Sequence, residues 1–417
     1  MIRFAALLLA PTLIPAASQP ICEHPAHPSS SQQAHLEQGE EGWFQFHPHL
    51  NAALALGGST AEKNFSLIPG SHTPIDDGFN LQGIELGAVM EFGEMLSAQA
   101  NHNVFWDRFD GWDSEWEDAY AALDLPGGIV LRGGQFFAPF GQENTYHLHE
   151  RPFVEPPISM IRLLGEEGLI LQGAELALPL PGLEESWVFR FGCGRSREHG
   201  HGATRELRRE AFEEAGEEPT EGEEEHEEHG HGFAGNGGVY DAEEAYLDKG
   251  VFFGRIEHRL GMSGIDRVGL SFATGDNGFE RNTWVSGADL QGGTQFGGRP
   301  VEWQGELFHR SVEARDAAGM NGDYTELGAY LASSLEFVKD WTVGCRLEWA
   351  SGNRLSGNER RWRASTHLGR ELHLADNSNI HTRLQYSYDR LGGYADEHSV
   401  WLQFVLNFGA AEHGHAH

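Results

Sequence analysis

Apolar and polar residues alternate along most of the chain from residue 47 onward. In residues 380–389 every second side chain is apolar, aromatic or threonine, and the positions between them are polar. Residues 341–350 and 399–408 repeat the pattern. Because the side chains of a β-strand point alternately to its two faces, this pattern predicts strands. Alternation over about ten residues is long for a globular strand and matches a tilted transmembrane strand.

Segments of this kind recur about sixteen times, an even number that suits a bacterial outer-membrane barrel. They lie at residues 48–57, 79–92, 95–106, 116–125, 128–137, 168–178, 186–194, 250–260, 265–274, 281–290, 300–312, 324–337, 340–350, 360–370, 378–389 and 397–408. Short and long connections alternate between them, as periplasmic turns and extracellular loops do. The sequence therefore predicts an all-β protein: a closed antiparallel transmembrane β-barrel of about 16 strands over residues 47–408, with long extracellular loops. A soluble β-sandwich is the alternative, but aromatic residues near strand ends, such as Trp341 and Tyr388, favour a membrane interface.

The N-terminal segment has the pattern of an export signal. Arg3 precedes the apolar run 4–14, and small residues at Ala16 and Ser18 fit a cleavage site. We therefore predict a signal peptide at residues 1–18, followed by a flexible periplasmic lead-in at 19–46. No apolar stretch reaches about 18 residues, which excludes a helical membrane protein. Together with the barrel pattern, export predicts the outer membrane of a Gram-negative bacterium.

The charge of the chain is strongly acidic. It carries 29 lysine and arginine residues against 63 aspartate and glutamate residues, a formal net charge of -34. Such a chain repels nucleic-acid phosphates, so nucleic acid is not an expected partner. The negative charge suits cations instead.

Much of the acidic charge lies in the predicted extracellular loop 195–249, where histidines flank a run of glutamates. These histidines are His199, His201, His226, His229 and His231. Imidazole and carboxylate groups are ligands for Zn²⁺, so the loop is a candidate for loosely bound zinc. A His-rich tail at 409–417 repeats the theme. The alternative is an acidic loop that only keeps the barrel mouth solvated.

A second long connection, residues 138–167, combines apolar residues with candidate metal ligands. His147 and His149 are separated by one residue and followed by Glu150. On an extended backbone both rings would point the same way and could share one metal ion, with Glu166 and Glu167 as further oxygen ligands. If the loop folds into the lumen, these two glutamates would contribute to a constriction. The alternative is that both histidines only hold the shape of the loop by hydrogen bonds.

Charged residues also fall on the predicted inner face of the strands. The candidate pore-lining residues are Arg132, Arg255, Arg310, Arg346, Arg361, Arg363, Arg383, Glu306 and Glu348. A row of arginines would suit anions or metal chelates rather than bare cations. We find neither a Gly-x-Ser-x-Gly elbow nor a His-Glu-x-x-His helix, and we predict that the protein is not an enzyme.

Several of these segments carry a family resemblance. The run Gly133-Gly-Gln-Phe-Phe137, the pair His147-x-His149 and the run Leu164-Gly-Glu-Glu-Gly-Leu169 resemble porin-like outer-membrane proteins described as zinc-regulated or as TonB-dependent receptors. The resemblance implies a closed antiparallel barrel and uptake under metal limitation. Because residues 19–46 are too few for a folded plug domain, we expect a passive pore.

The predicted function is therefore an outer-membrane porin-like channel for divalent metal, zinc above all, or for its chelates. In this hypothesis Zn²⁺ is transported or loosely bound, and the partners are outer-membrane lipid and small ions or chelates. The alternative is a general or anion-selective porin for small solutes. The sequence leaves a monomer and a homotrimer both open.

Overall fold

A computed structural model describes most of the chain from residue 43 onward. The described ranges are 43–60, 72–74, 77–107, 111–180, 187–197, 239–240, 242, 244–262, 264–316, 319–375, 377–392 and 395–409. The predicted signal peptide 1–18, the five histidines of the acidic loop (His199, His201, His226, His229 and His231) and residues 410–417 of the tail lie outside them. The first strand begins at Phe44, shortly before the predicted start of the barrel.

The described residues form sixteen strands and two short helices. The strands are β1 (Phe44–Ser59), β2 (Gly78–Phe92), β3 (Leu96–Asp107), β4 (Gly111–Leu125), β5 (Ile129–Phe137), β6 (Ile170–Pro179), β7 (Trp187–Ser196), β8 (Val251–Met262), β9 (Ile265–Asp276), β10 (Asn282–Phe296), β11 (Arg299–Arg315), β12 (Asn321–Val338), β13 (Trp341–Ala350), β14 (Arg361–Ala375), β15 (Ser378–Leu391) and β16 (Glu397–Gly409). A 3-10 helix (Glu143–Thr145) and an α-helix, α1 (Ile158–Leu164), lie between β5 and β6. Each predicted segment overlaps one strand, so the strand prediction is confirmed. No helix in the described part of the chain is long and apolar enough to cross a membrane.

The sheet closes on itself. Every strand pairs antiparallel with its neighbours in sequence, and β1 also pairs with β16, with Leu54 opposite Phe404. Closure gives each backbone N–H and C=O along the wall a partner, which a sheet in hydrocarbon requires because no water is present there. The predicted closed antiparallel barrel is confirmed.

The two faces of the wall differ as the alternation predicts. In β15, Leu384 and Tyr386 are 49% and 41% exposed, whereas Gln385 between them is fully buried. Outside, the exposed large side chains are mostly apolar or aromatic, including Trp112 and Trp284. The outer face is thus fit for lipid, and the buried polar side chains lie on the inner face.

Connections alternate in length around the barrel. Short turns such as Gly297-Gly298 join strands at one end, and the long β5–β6 and β7–β8 connections lie at the other. The N–H of Gly93, in the β2–β3 turn, donates to the carbonyl oxygen of Trp43, so the chain enters β1 at the end with the short turns. This is the arrangement expected when short turns are periplasmic.

The β5–β6 connection, residues 138–169, lies inside the barrel, and we call it the internal loop. Its Phe140 ring stacks on Phe308 of β11 at 6.0 Å between centroids. Phe153, Met160 and Leu163 of the loop are buried in the same apolar cluster as Phe308. Burial of these side chains fixes the loop across the lumen, where its polar residues meet the inner wall.

The two faces should respond differently to added charge. Leu384→Arg places a guanidinium in lipid near the middle of β15 and should lower the free energy of unfolding by about 2–4 kcal/mol. His381→Arg, on the inner face of the same strand beside Glu371, is the matched control and should cost little. Denaturant unfolding of the refolded, heat-modifiable protein measures the free energy of unfolding of each variant. Equal costs would contradict the assignment of the faces. Gln385 is a poor control, because its side chain holds the internal loop.

Candidate functional site

A buried carboxylate of the wall anchors the start of the internal loop. Glu306 of β11 accepts hydrogen bonds from the backbone N–H groups of Gln142 at 3.1 Å and Glu143 at 2.8 Å. It also accepts one from the Tyr330 hydroxyl at 2.7 Å. Gly141 has φ of 67°, and a Cβ there would collide with the Glu306 carboxylate. Glycine is therefore needed where the loop backbone turns against this side chain.

Further wall residues bind the backbone of the loop's second half. Glu348 Oε2 accepts the N–H of Ile158, the first residue of α1, at 2.7 Å. Gln385 Oε1 accepts the N–H of Val154 at 2.9 Å. The carbonyl oxygen of Glu155 accepts a hydrogen bond from Arg346 at 2.9 Å. These bonds give the irregular backbone of the loop the partners that it would otherwise find in water.

The candidate pore-lining arginines lie on the inner face, and most of them are ion-paired. The pairs are Arg132 with Glu175, Arg255 with Asp289, Arg310 with Glu326, Arg346 with Glu348, and both Arg361 and Arg363 with Asp389. Arg383 instead donates to the carbonyl oxygen of Arg151 at 3.0 Å and to Gln403 at 2.6 Å. Because both members of most pairs are buried, their charges largely offset one another within the wall and the loop.

His147 of the internal loop lies among three carboxylates of β2 and β4. Its Nδ1 is 2.7 Å from Glu117 Oε2 and 3.0 Å from Glu85 Oε2. Its Nε2 is 3.1 Å from Asp118 Oδ2. Burial alone lowers the pKa of His147, but the charge of Glu85 and the hydrogen bonds to the carboxylates outweigh it and raise the pKa well above its ordinary value. The imidazole is therefore suited to carry a proton and tie the loop to the wall.

His149 lies beside His147, but the backbone between them is not extended. The rings stack with 5.8 Å between centroids, and His149 Nδ1 is 3.5 Å from Glu85 Oε1. The N–H of Glu150 donates to the carbonyl oxygen of His147 at 3.0 Å, which closes a turn. The expected extended backbone is therefore wrong, although both rings do meet one carboxylate. Glu150 accepts the N–H of His147 at 3.0 Å and so stabilises this turn.

Glu166 and Glu167 lie at the end of α1, apart from these histidines. Arg197, at the end of β7, pairs with Glu167 and also lies 3.0 Å from Glu115 of β4. Within the described residues, the groups of three side chains spaced for a metal ion include none of Glu150, Glu166 and Glu167. The structure thus brings His147 and His149 to wall carboxylates that the sequence reasoning did not select.

We call the set around these contacts the histidine–carboxylate cluster: it comprises His72, Glu85, Glu115, Glu117, Asp118, His147 and His149. His72 lies within the β1–β2 connection and places Nε2 3.0 Å from Glu115 Oε1. Alternation could have put Glu115 and Glu117 on one face of β4. It could not have added the neighbouring Asp118, which also faces inward because the β3–β4 pairing shifts register between Asn101 and His102.

Two triads in this cluster have the donor atoms and the spacing of a metal site. They are His72 with Glu115 and Glu117, and His147 with Glu85 and Glu117, and the ligand atoms of each triad lie within 4.8 Å of one another. Imidazole nitrogen with carboxylate oxygen is a donor set for zinc and its neighbours in the first transition row. The sequence prediction selected only His147 from these two triads.

Comparison with known proteins finds likeness in structure alone. No protein-family model matches the chain, and no curated protein matches its sequence. The outer membrane channel DcaP of Acinetobacter baumannii superposes with a TM-score of 0.55 at 6% identity, over 88% of this chain and 96% of that one. The anion-selective porin from Comamonas acidovorans gives 0.50 at 12% identity, over 88% and 99%. OccK9 (OpdG) of Pseudomonas aeruginosa also gives 0.50 at 12%, over 88% and 100%.

These likenesses define the class of fold. The chain forms a closed 16-strand antiparallel barrel of the outer-membrane porin type. At such low identity they extend to the fold and no further. The zinc-regulated and TonB-dependent descriptions suggested by the sequence resemblance stay predictions.

Removing the carboxylate of Glu306 should loosen the internal loop. Glu306→Ala leaves the buried N–H groups of Gln142 and Glu143 without their acceptor, at about 1–3 kcal/mol for each. We expect a lower free energy of unfolding and faster proteolysis within residues 138–169. Glu302→Ala, on the same face of β11 but exposed, is the control and should change neither. Unchanged proteolysis in the Glu306 variant would show that other contacts hold the loop.

Proposed function

We propose that the protein is an outer-membrane diffusion channel for small charged solutes, with divalent metal ions such as Zn²⁺ as the favoured cargo. The observation that carries this proposal is an internal loop held inside a closed barrel by hydrogen bonds to its inner wall. A loop in that position narrows the lumen and puts its own side chains beside any solute that passes. Outer-membrane lipid surrounds the apolar outer face in this proposal.

The distribution of charge supports cations on one side of the lumen. Glu85, Glu115, Glu117 and Asp118 all lie on β2 and β4, and each is at least nine-tenths buried. Carboxylates inside a low-dielectric wall attract and concentrate cations more strongly than exposed ones do. Histidines from the internal loop lie beside the same carboxylates. They add nitrogen ligands, which suit zinc better than they suit magnesium or calcium.

A second candidate, an anion-selective channel, is supported by another part of the lumen, at β15. Arg151 and Arg383 lie together there, and among the described residues no carboxylate is within ion-pair distance of Arg383. Burial lowers the pKa of Arg151, and the charge of Arg346 adds to this, against the opposing charges of Glu143, Glu117 and Glu167. An anionic solute or a negatively charged metal chelate could offset this positive charge.

Planar-bilayer recording of the refolded protein separates the two candidates. We expect open-channel current and, under a salt gradient, a reversal potential that favours cations. Arg383→Gln should shift that potential little if cations carry the current, and strongly if anions do. His258→Gln, a matched substitution on β8 away from both charged sides, is the control. Absence of any current from correctly folded, heat-modifiable protein would contradict the channel function itself.

Zinc should act on the current through the loop histidines. We expect Zn²⁺ to reduce the current of the unaltered protein, because the ion would bind where the internal loop meets the acidic wall. The double substitution His147→Gln and His149→Gln retains hydrogen-bonding groups but removes both imidazoles, and it should abolish the zinc effect while the folded protein still conducts without metal. A zinc effect that survives the double substitution would leave the histidines with a purely structural role.

A further inference from the structure

We propose that the histidine–carboxylate cluster holds a pair of divalent transition-metal ions, with Glu117 as the carboxylate that bridges them. One ion would be bound by His147, Glu85 and Glu117, and the other by His72, Glu115 and Glu117. This proposal deepens the proposed function and rests on it only for its consequence, that metal would fasten the internal loop to the wall of the channel. The site itself is argued from geometry, burial and charge.

The two oxygens of Glu117 serve different histidines. Oε2 is 2.7 Å from His147 Nδ1, and Oε1 is 3.9 Å from His72 Nε2. A further carboxylate completes each side, since Glu85 Oε2 is 3.0 Å from His147 Nδ1 and Glu115 Oε1 is 3.0 Å from His72 Nε2. Zinc bonds of about 2.0–2.2 Å to nitrogen and oxygen place neighbouring tetrahedral ligands roughly 3.4 Å apart. The observed separations lie on both sides of that value, so small side-chain shifts would admit an ion on each side of Glu117.

The far nitrogen of each histidine is already held. His72 Nδ1 is 2.8 Å from the carbonyl oxygen of Gln82, which can only accept, so this nitrogen donates and Nε2 is the one that faces the carboxylates. His147 Nε2 is 3.1 Å from Asp118 Oδ2 and leaves Nδ1 facing Glu85 and Glu117. Histidine ligands of metals are usually oriented in this way, by a carbonyl or carboxylate acceptor behind the ring.

A cavity and two side-chain oxygen atoms that accept no hydrogen bond from the described residues lie beside the proposed metal pair. A small cavity of about 10 Å³, close to the space that one water molecule needs, is lined by Glu85, Glu117, Asn51, Asn103 and His149 among others. Asn51 and Asn103 are 2% and 1% exposed, and no described residue donates a hydrogen bond to the Oδ1 of either. Buried oxygen atoms without donors are costly unless water or a cation meets them. The cavity thus offers room for one further ligand of the first ion, which a water molecule could supply.

The charge of the cluster also favours cations. Glu85, Glu117 and Asp118 surround the single imidazole of His147 at hydrogen-bond distances. A protonated ring supplies one positive charge to these three buried carboxyl groups. Their other neighbours are the imidazoles of His149, His49 and His72, at 3.5, 3.7 and 3.9 Å. The guanidinium of Arg197 is already shared between Glu115 and Glu167. Burying unbalanced charge is expensive, and a divalent ion that replaces one proton supplies one more positive charge at the same place.

Anomalous X-ray scattering at the zinc edge locates the ions directly. Crystals of the full chain, stripped of metal and then given stoichiometric Zn²⁺ in excess Mg²⁺, should show two peaks about 3.5–4 Å apart, one on each side of Glu117. Glu117→Gln should remove both peaks, and His72→Gln should remove only the peak beside Glu115. His367→Gln changes another buried histidine of the inner wall and should leave both peaks in place.

Two results would overturn the proposal: no peak at Glu117 in the unaltered protein, or a single peak that persists in Glu117→Gln. Heat-modifiable migration of each variant establishes that it has folded, so a lost peak reports a lost ligand. Bilayer current from the metal-free protein tests the channel separately. Current without zinc peaks would leave the proposed function standing and remove the metal pair, whereas peaks without current would do the reverse.

Discussion

Pairing of β1 with β16 is the constraint on which the rest of the structure depends. An open sheet would leave two rows of backbone N–H and C=O groups in hydrocarbon, where nothing can hydrogen-bond them. Their pairing, from His49 opposite Gly409 to Ser59 opposite Ser399, turns the sheet into a cylinder with one apolar and one enclosed face. Only after closure does the chain have an interior in which charged side chains and an irregular loop can be held away from lipid.

The enclosed face then supplies what the internal loop lacks. A loop of more than thirty residues with little regular structure has many backbone groups to satisfy, and Glu306, Glu348 and Gln385 take several of its N–H groups. The guanidinium groups of Arg346 and Arg383 donate hydrogen bonds to two of its carbonyl oxygens. Part of what the sequence suggests as lining of an open pore therefore serves to position the loop across the lumen.

The sequence was informative where a single periodicity decides the outcome. Alternation located all sixteen strands and set Arg346 and Glu348 on the inner face, where the structure has them. Alternation did not predict side-chain positions that are decided by neighbours distant in the chain. Asp118 turns inward beside Glu117 through a change of register with β3, and His72 reaches Glu115 from a connection without strand pattern. Neither event has a local signature, because each depends on which strand lies alongside.

The same distant contacts explain why His147 has two chemical roles open to it. With a proton on each nitrogen it is a cation that joins Asp118 to Glu117 and Glu85, and the loop is tied to the wall by charge-assisted hydrogen bonds. Without the proton on Nδ1 it would be a ligand of the proposed metal pair, with its other nitrogen still on Asp118. Both states would use the same Nδ1 atom of the ring. In the proposed site, proton and metal would therefore compete for one position, and either occupant would hold the internal loop against β2 and β4.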